Sequence, residues 1–228
     1  ALKTANRVWT GTASLADRLK GRHRHVHFIP NGVDAELFAN PSEQDKASVQ
    51  AELPPGDGPL AGYFGVINER FDMRLVEAVL ESPHGWRVLL IGPSSSHGPA
   101  IPDHPRLRSL GAKPYSRLPA YLGHFDAGLI PYKIHGAHRF LYPVKALEYL
   151  AAEVPVITTS LPDIVRFLGD YVQLADTPHA WMEQAAMLCE RRPDILERTR
   201  KGGRYAASRS WKTMANDMLN DLGNVGTA

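Results

Sequence analysis

Four short and nearly continuous apolar runs limit what this chain can fold into. "LAGYF" (Leu60–Phe64), "WRVLLIGP" (Trp86–Pro93), "DAGLIPY" (Asp126–Tyr132) and "VPVITTS" (Val154–Ser160) each end at Gly, Pro or a polar turn. A strand with one wet face would alternate polar and apolar residues; these runs do not, so both faces are buried. Segments of helical period lie between and after them, among them "MRLVEAVLES", "LPAYLGHF" and "PVKALEYLAAE". "LRSLG" and "YVQLA" add short strands and "IVRFLG" a short helix. Three helical segments run from His179 to Leu222, broken at Pro193 and Ser210. Buried strands alternating with helices predict an α/β fold, a Rossmann-like, doubly wound parallel sheet covered on both faces. Ligands in such folds bind beyond the carboxyl ends of the strands.

The 228 residues suffice for one large domain with attached elements. "NPSEQDKASVQAELPPGDG" (Asn40–Gly58) is polar, rich in Pro and Gly, and reads as a connector with at most one short helix. Two strand-like runs, "RVWTGT" and "HVHFIP", precede it. A net charge of +2 gives no support to a nucleic-acid groove or a membrane-binding face. No apolar run approaches the ~20 residues that span a bilayer. No signal peptide is recognisable, and the single cysteine, Cys189, allows no disulfide framework. The expectation is a cytoplasmic protein.

The helix that opens near Pro143 carries the candidate chemistry. Val144, Leu147, Leu150 and Ala151 follow the helical period and are expected to face the sheet, leaving Lys145 and Glu148 on the other side. A cation in a first turn opposes the helix dipole by ~0.3–1 kcal/mol. An anion held there would reverse that penalty, because free N–H groups and Lys145 would converge on it. A carboxylate one turn later suits the paired hydroxyls of a ribose. The combination reads as a nucleotide-diphosphate site, with an ordinary i, i+3 surface pair as the plain alternative. Other features have simpler readings. "HRHVH" (His23, His25, His27) could place three ligands on one strand face, but a solvent-facing alternation explains it. Cys189 reads as a packed helix residue, and Asp126 as a turn or cap residue rather than a base.

"PVKALEYLAAEVPVITTSLPD" resembles the donor-binding segment of bacterial two-domain GT-B glycosyltransferases, whose pattern is Pro-x-Lys-x-x-Glu-Tyr-Leu-Ala…Pro-Val. "VHFIPNGVDAELF" resembles that family's crossing between domains, and "GYFGVINERFD" the first strand and glycine loop of its donor domain. "RVLLIGP" is similar to the second strand, "LGAKPYSRLPAYLGHFDAGLIPYK" to the loop that cups the base, and "SRSWKTMANDML" to the terminal helix. The resemblance covers nearly the whole chain. It implies one half of a GT-B fold: residues 1–39 as the end of an N-terminal domain with the interdomain crossing, 40–58 as connector, 59–209 as the donor domain, and 210–228 as a helix that packs on the N-terminal domain. The chain then looks like the donor half of an enzyme. Trp9, Trp211 and Met214 are expected at the seam with the other half, and in the chain alone to be solvent-exposed, disordered or covered by a neighbouring copy.

By that resemblance the nucleotide-binding residues are Gly65, Arg70, Lys113, Tyr115, Pro143, Val144, Lys145 and Glu148. His135, His138 and Arg139 are candidate contacts to the sugar, and no catalytic base is expected in this chain. Many members carry a second glutamate where this chain has Phe140, and Arg and Lys in the glycine loop where it has Val66 and Phe71. The charge for the phosphates then falls to Lys145, as in a subset resembling exopolysaccharide and teichuronic-acid transferases. The implied function is glycosyl transfer from a nucleotide sugar, UDP-linked by preference, to a glycan or lipid-linked acceptor at the cytoplasmic face of the membrane. Neither a metal nor another cofactor is required. A degenerate, non-catalytic nucleotide-binding or assembly module is the alternative from another class, and an epimerase of the same fold a third reading.

Overall fold

Two short strands, β1 (Val8–Thr10) and β2 (Val26–Phe28), pair in parallel around helix α1 (Ala13–Lys20) in the computed structural model, which describes residues 4–223. The expected first and last segments extend to residues 1–3 and 224–228, which lie outside the described residues. Next come α2 (Ala35–Ala39) and α3 (Glu43–Val49), then β3 (Leu60–Phe64), α4 (Met73–Glu81), β4 (Arg87–Ile91) and β5 (Leu107–Ser109). Helix α5 (Leu118–Leu122), β6 (Ala127–Ile130), α6 (Val144–Ala151), β7 (Val156–Thr158), α7 (Pro162–Leu168) and β8 (Gln173–Leu174) follow. Three helices end the described chain: α8 (Pro178–Cys189), α9 (Pro193–Ala207) and α10 (Trp211–Gly223).

The apolar runs assemble into one parallel sheet of order β5-β4-β3-β6-β7-β8. Every residue of β3, β6 and β7 is buried, as the unbroken runs require. The order reverses direction between β3 and β6, and right-handed crossovers therefore put α4 and α6 on opposite faces. Helix α4 packs with α8 on one face; α6 packs with α9 and α2 on the other. Tyr149 of α6 is fully buried, and its hydroxyl donates to the Gly62 carbonyl (3.2 Å) while accepting from the Phe64 amide (3.3 Å). This ties α6 to the carboxyl end of β3. Asp126 accepts from the Leu60 amide at the other end of that strand (2.9 Å), a turn-fixing role.

Three expectations change. Asn40–Gly58 is more ordered than a connector: Ser42 and Asp45 form a capping box on α3, a 3-10 turn follows, and Val49 and Leu53 are buried. The three histidines share no strand face, because β2 begins at Val26. His23 meets the Ala5 carbonyl, His27 pairs with Asp221 (3.0 Å), and no group of three metal-capable side chains occurs among the described residues. At the expected seam, Trp211 is 53% exposed, but Met214 is 3% exposed. Helix α10 folds back on Gly32 and Val33, where the Val33 amide donates to the Arg209 carbonyl, and this takes Met214 inside. Trp9 is half-buried, and its indole N–H donates to Asp221 of α10 (2.8 Å), which also pairs with Arg7. No helix of the described residues is long and apolar enough to cross a membrane.

A Cβ on Gly128 would lie 2.5 Å from the Tyr149 ring. Gly128→Ala should therefore cost ~1–3 kcal/mol by overpacking, read as a lowered urea midpoint at unchanged slope. An unchanged midpoint would contradict the packing described here.

Candidate functional site

The loops that leave β3 and β4 meet the start of α6 around a cleft of about 360 Å³. It sits at the carboxyl ends of the strands, beside the point where strand order reverses. Phe64, Gly65 and Val66 line it from β3, Ile91, Gly92 and Pro93 from β4, Ala112, Lys113, Tyr115 and Leu118 from the loop into α5, and Val144, Lys145 and Glu148 from α6. Gly65 has φ +131°, and a Cβ there would stand 2.6 Å from the Lys145 amine, so the glycine makes room for the charge. Helix α6 has no side-chain cap and no acidic residue in its first turn. The Ala146 amide donates to the Pro143 carbonyl (3.1 Å), and the N–H groups of Val144 and Lys145 are left for an outside acceptor.

Lys145 reaches back over the end of β3. Its Nζ lies 4.0 Å from the centre of the Tyr63 ring and donates to the Tyr132 hydroxyl (2.7 Å). Tyr63 donates to the Val66 carbonyl (2.9 Å), so the Tyr132 hydroxyl, 3.4 Å away, is the donor between the two phenols. The ammonium thus heads a relay that ends on the glycine loop. No ion pair of the described residues includes Lys145. Burial pulls its ammonium below the usual lysine range, and Arg70 adds repulsion; Tyr132 and Glu148 act against both. Glu148 is 4% exposed, and Tyr115 donates to its Oε1 at 2.5 Å. Burial raises its carboxyl above the usual range, opposed by the Tyr115 hydrogen bond and by Lys145.

No protein-family model matches the chain. Over 161 residues, 68% of its length, it is 30% identical to the protein of Bacillus subtilis (strain 168) named as a teichuronic acid biosynthesis glycosyltransferase, TuaH, of which it spans 39%. The sucrose-phosphate synthase of Thermosynechococcus elongatus superposes with a TM-score of 0.78 at 17% identity, covering 98% of this chain and 59% of that one. Anabaena Alr3699/HepE, solved in complex with UDP and glucose, gives 0.79 at 15% identity, covering 99% and 65%. The C-terminal domain of a group 1 glycosyl transferase (LpcC) from Francisella tularensis gives 0.59 at 16%, covering 78% of this chain and 98% of that domain. The chain is a GT-B glycosyltransferase domain. It spans about two fifths of its curated relative, and its sheet is one half of the GT-B architecture.

Of the residues expected to form its site, Gly65, Lys113, Tyr115, Val144, Lys145 and Glu148 line the cleft of this GT-B domain. Val144 turns toward the cleft and is partly exposed, not packed on the sheet. Lys113 is already engaged by Glu52, which Arg117 also approaches (3.7 Å). Pro143 is the N-cap of α6 and lies outside the lining. Arg70 is outside it as well, its Nε directed at Asn68 (3.3 Å). His135, His138 and Arg139 belong to a 3-10 turn before α6 and do not line the cleft; the two histidine rings are 4.7 Å apart. Phe71 is fully buried and packs edge-on against Tyr63 (4.7 Å), and Phe140 takes the guanidinium groups of Arg18 and Arg139 (5.2 Å each). Both are packing residues. Sequence reasoning missed Tyr63 and Tyr132; the signal for the latter is its place just after the Pro that ends β6.

A buried carboxyl with a raised folded-state pKa favours folding below its unfolded pKa and loses that contribution as pH rises through the folded one. Glu148→Gln should therefore raise the melting temperature of the empty protein near neutral pH. The gain should vanish below about pH 4, where both states hold the proton. A loss of stability at neutral pH, or a gain independent of pH, would contradict the assigned burial cost.

Proposed function

We propose that this domain holds the nucleotide-sugar donor of a glycosyltransferase, a UDP-sugar, in the cleft above β3 and β4. Lys145 and the first N–H groups of α6 take the diphosphate, and Glu148 accepts the ribose hydroxyls. The observation that carries the reading is the Lys145 ammonium, held by aromatic rings with no carboxylate partner among the described residues, at a helix start without a side-chain cap. An anion is what that arrangement lacks electrostatically. As the bond to the sugar breaks, charge builds on the departing diphosphate, and the same groups stabilise it. The HepE structures with UDP and glucose and with UDP-glucose support the choice of ligand. Residues 59–209 are then the donor domain. Residues 1–39 and 210–228 adjoin the domain that binds a glycan or lipid-linked acceptor, at the cytoplasmic face of the membrane. The 228-residue chain alone should bind donor without transferring sugar, since in two-domain GT-B enzymes the other half of the fold binds the acceptor.

The test is calorimetric titration with UDP and with uridine, which lacks the phosphates. Lys145→Met keeps the apolar stem and should weaken UDP binding by ~1.5–3 kcal/mol, the scale of a charged hydrogen bond, leaving uridine nearly unaffected. Glu148→Gln should weaken both ligands, because both carry the ribose. The non-catalytic module predicts no UDP binding by the wild-type chain, and equal losses for the two ligands in Lys145→Met would place Lys145 away from the phosphates.

A further inference from the structure

Glu148 is an awkward residue for the role proposed above: it is almost wholly buried, and burial favours the protonated carboxyl, which offers a ligand one acceptor fewer. One group offsets this directly. The Tyr115 hydroxyl donates to Oε1 at 2.5 Å. Tyr115 opens a 3-10 turn (Tyr115–Arg117) on the opposite wall of the cleft, and its ring rests edge-on against the buried Phe38 of α2, with centres 5.5 Å apart. The ring is thereby fixed although the residue is 48% exposed. Burial and the neighbouring carboxylates of Glu148 and Asp34 push the phenol's pKa up, so it remains an O–H donor throughout the range in which Glu148 titrates. The other groups facing Glu148 are Lys145, which favours the carboxylate, and the neutral phenol of Tyr149.

We propose that Tyr115 is the positioning residue for Glu148: it holds Oε1, keeps the carboxylate ionised inside the cleft, and leaves Oε2 for a vicinal diol. The inference rests on the reading of Glu148 as the ribose acceptor. It differs from a role for Tyr115 in touching the base, because the phenol acts on the ligand through the carboxylate. Affinity for uridine should then fall with pH as Glu148 takes up its proton, and the pH at which it falls should depend on Tyr115.

The experiment is uridine titration across acid to neutral pH in the wild-type chain, Tyr115→Phe, Glu148→Gln and the double variant, with the Glu148 carboxyl followed by carbon NMR in the ligand-free protein. Phenylalanine preserves the contact with Phe38, so the fold is retained. Tyr115→Phe should move both the carboxyl titration and the loss of affinity to higher pH by about one to two units, the equivalent of one charged hydrogen bond. Glu148→Gln should abolish the pH dependence, and adding Tyr115→Phe to it should change little. If Tyr115→Phe leaves the titration of Glu148 in place, the proposal is overturned, whatever its effect on affinity. If Glu148→Gln binds uridine like the wild type, the ribose reading itself fails, and the NMR titration still decides what Tyr115 does to the carboxyl.

Discussion

Lys145 carries a positive charge into the first turn of a helix, half-buried, with no carboxylate at ion-pair distance among the described residues. Nearly every feature of the cleft answers to that constraint. The Tyr63 face and the Tyr132 hydroxyl supply partial negative charge where a full counter-charge is missing. Gly65 yields the space that the amine occupies, and the first turn of α6 carries no side-chain cap. Such an arrangement costs stability while the cleft is empty and repays it when an anion arrives, the usual sign of a charge kept for a ligand.

The sheet is what brings these groups together. Tyr63 lies within β3, Tyr132 just past the end of β6, and Lys145 at the start of the helix that follows β6. β3 and β6 are adjacent because the order reverses there, so the two tyrosine rings meet edge to face at the carboxyl edge, centres 6.4 Å apart. Tyr149 fastens α6 to β3 through Gly62 and Phe64, which sets how far Lys145 can reach over the glycine loop. Phe71, at a place where similar enzymes have a lysine, buttresses Tyr63 instead.

The sheet was legible in the sequence because strands buried on both faces leave short unbroken apolar runs, here bounded by Gly, Pro or polar turns and separated by segments of helical period. The terminal strand β8 was visible only as "YVQLA" and shrinks to Gln173–Leu174, since an edge strand needs less of that pattern. The order of Asn40–Gly58 was hidden: its capping box is local, but Val49 and Leu53 are buried by elements far away in sequence, α5 among them. Lys145 and Glu148 stood out because a first-turn cation is unfavourable in isolation. That Glu148 is buried and held by Tyr115 was not readable from spacing, which makes an i, i+3 pair look like a surface feature. Tyr63 and Tyr132 read as ordinary strand residues until the fold placed them around the amine.

The central claim is that Lys145 waits for an anion. The most direct test is the ionisation of its own ammonium, followed by NMR of the Nζ and Cε signals with and without UDP. In the empty protein it should titrate below the ordinary lysine range, as burial dictates. Saturation with UDP should move that titration upward, because a diphosphate beside the amine favours its charged form, while uridine should leave it in place. A Lys145 titration that UDP does not move, in protein shown to bind UDP, would contradict the account.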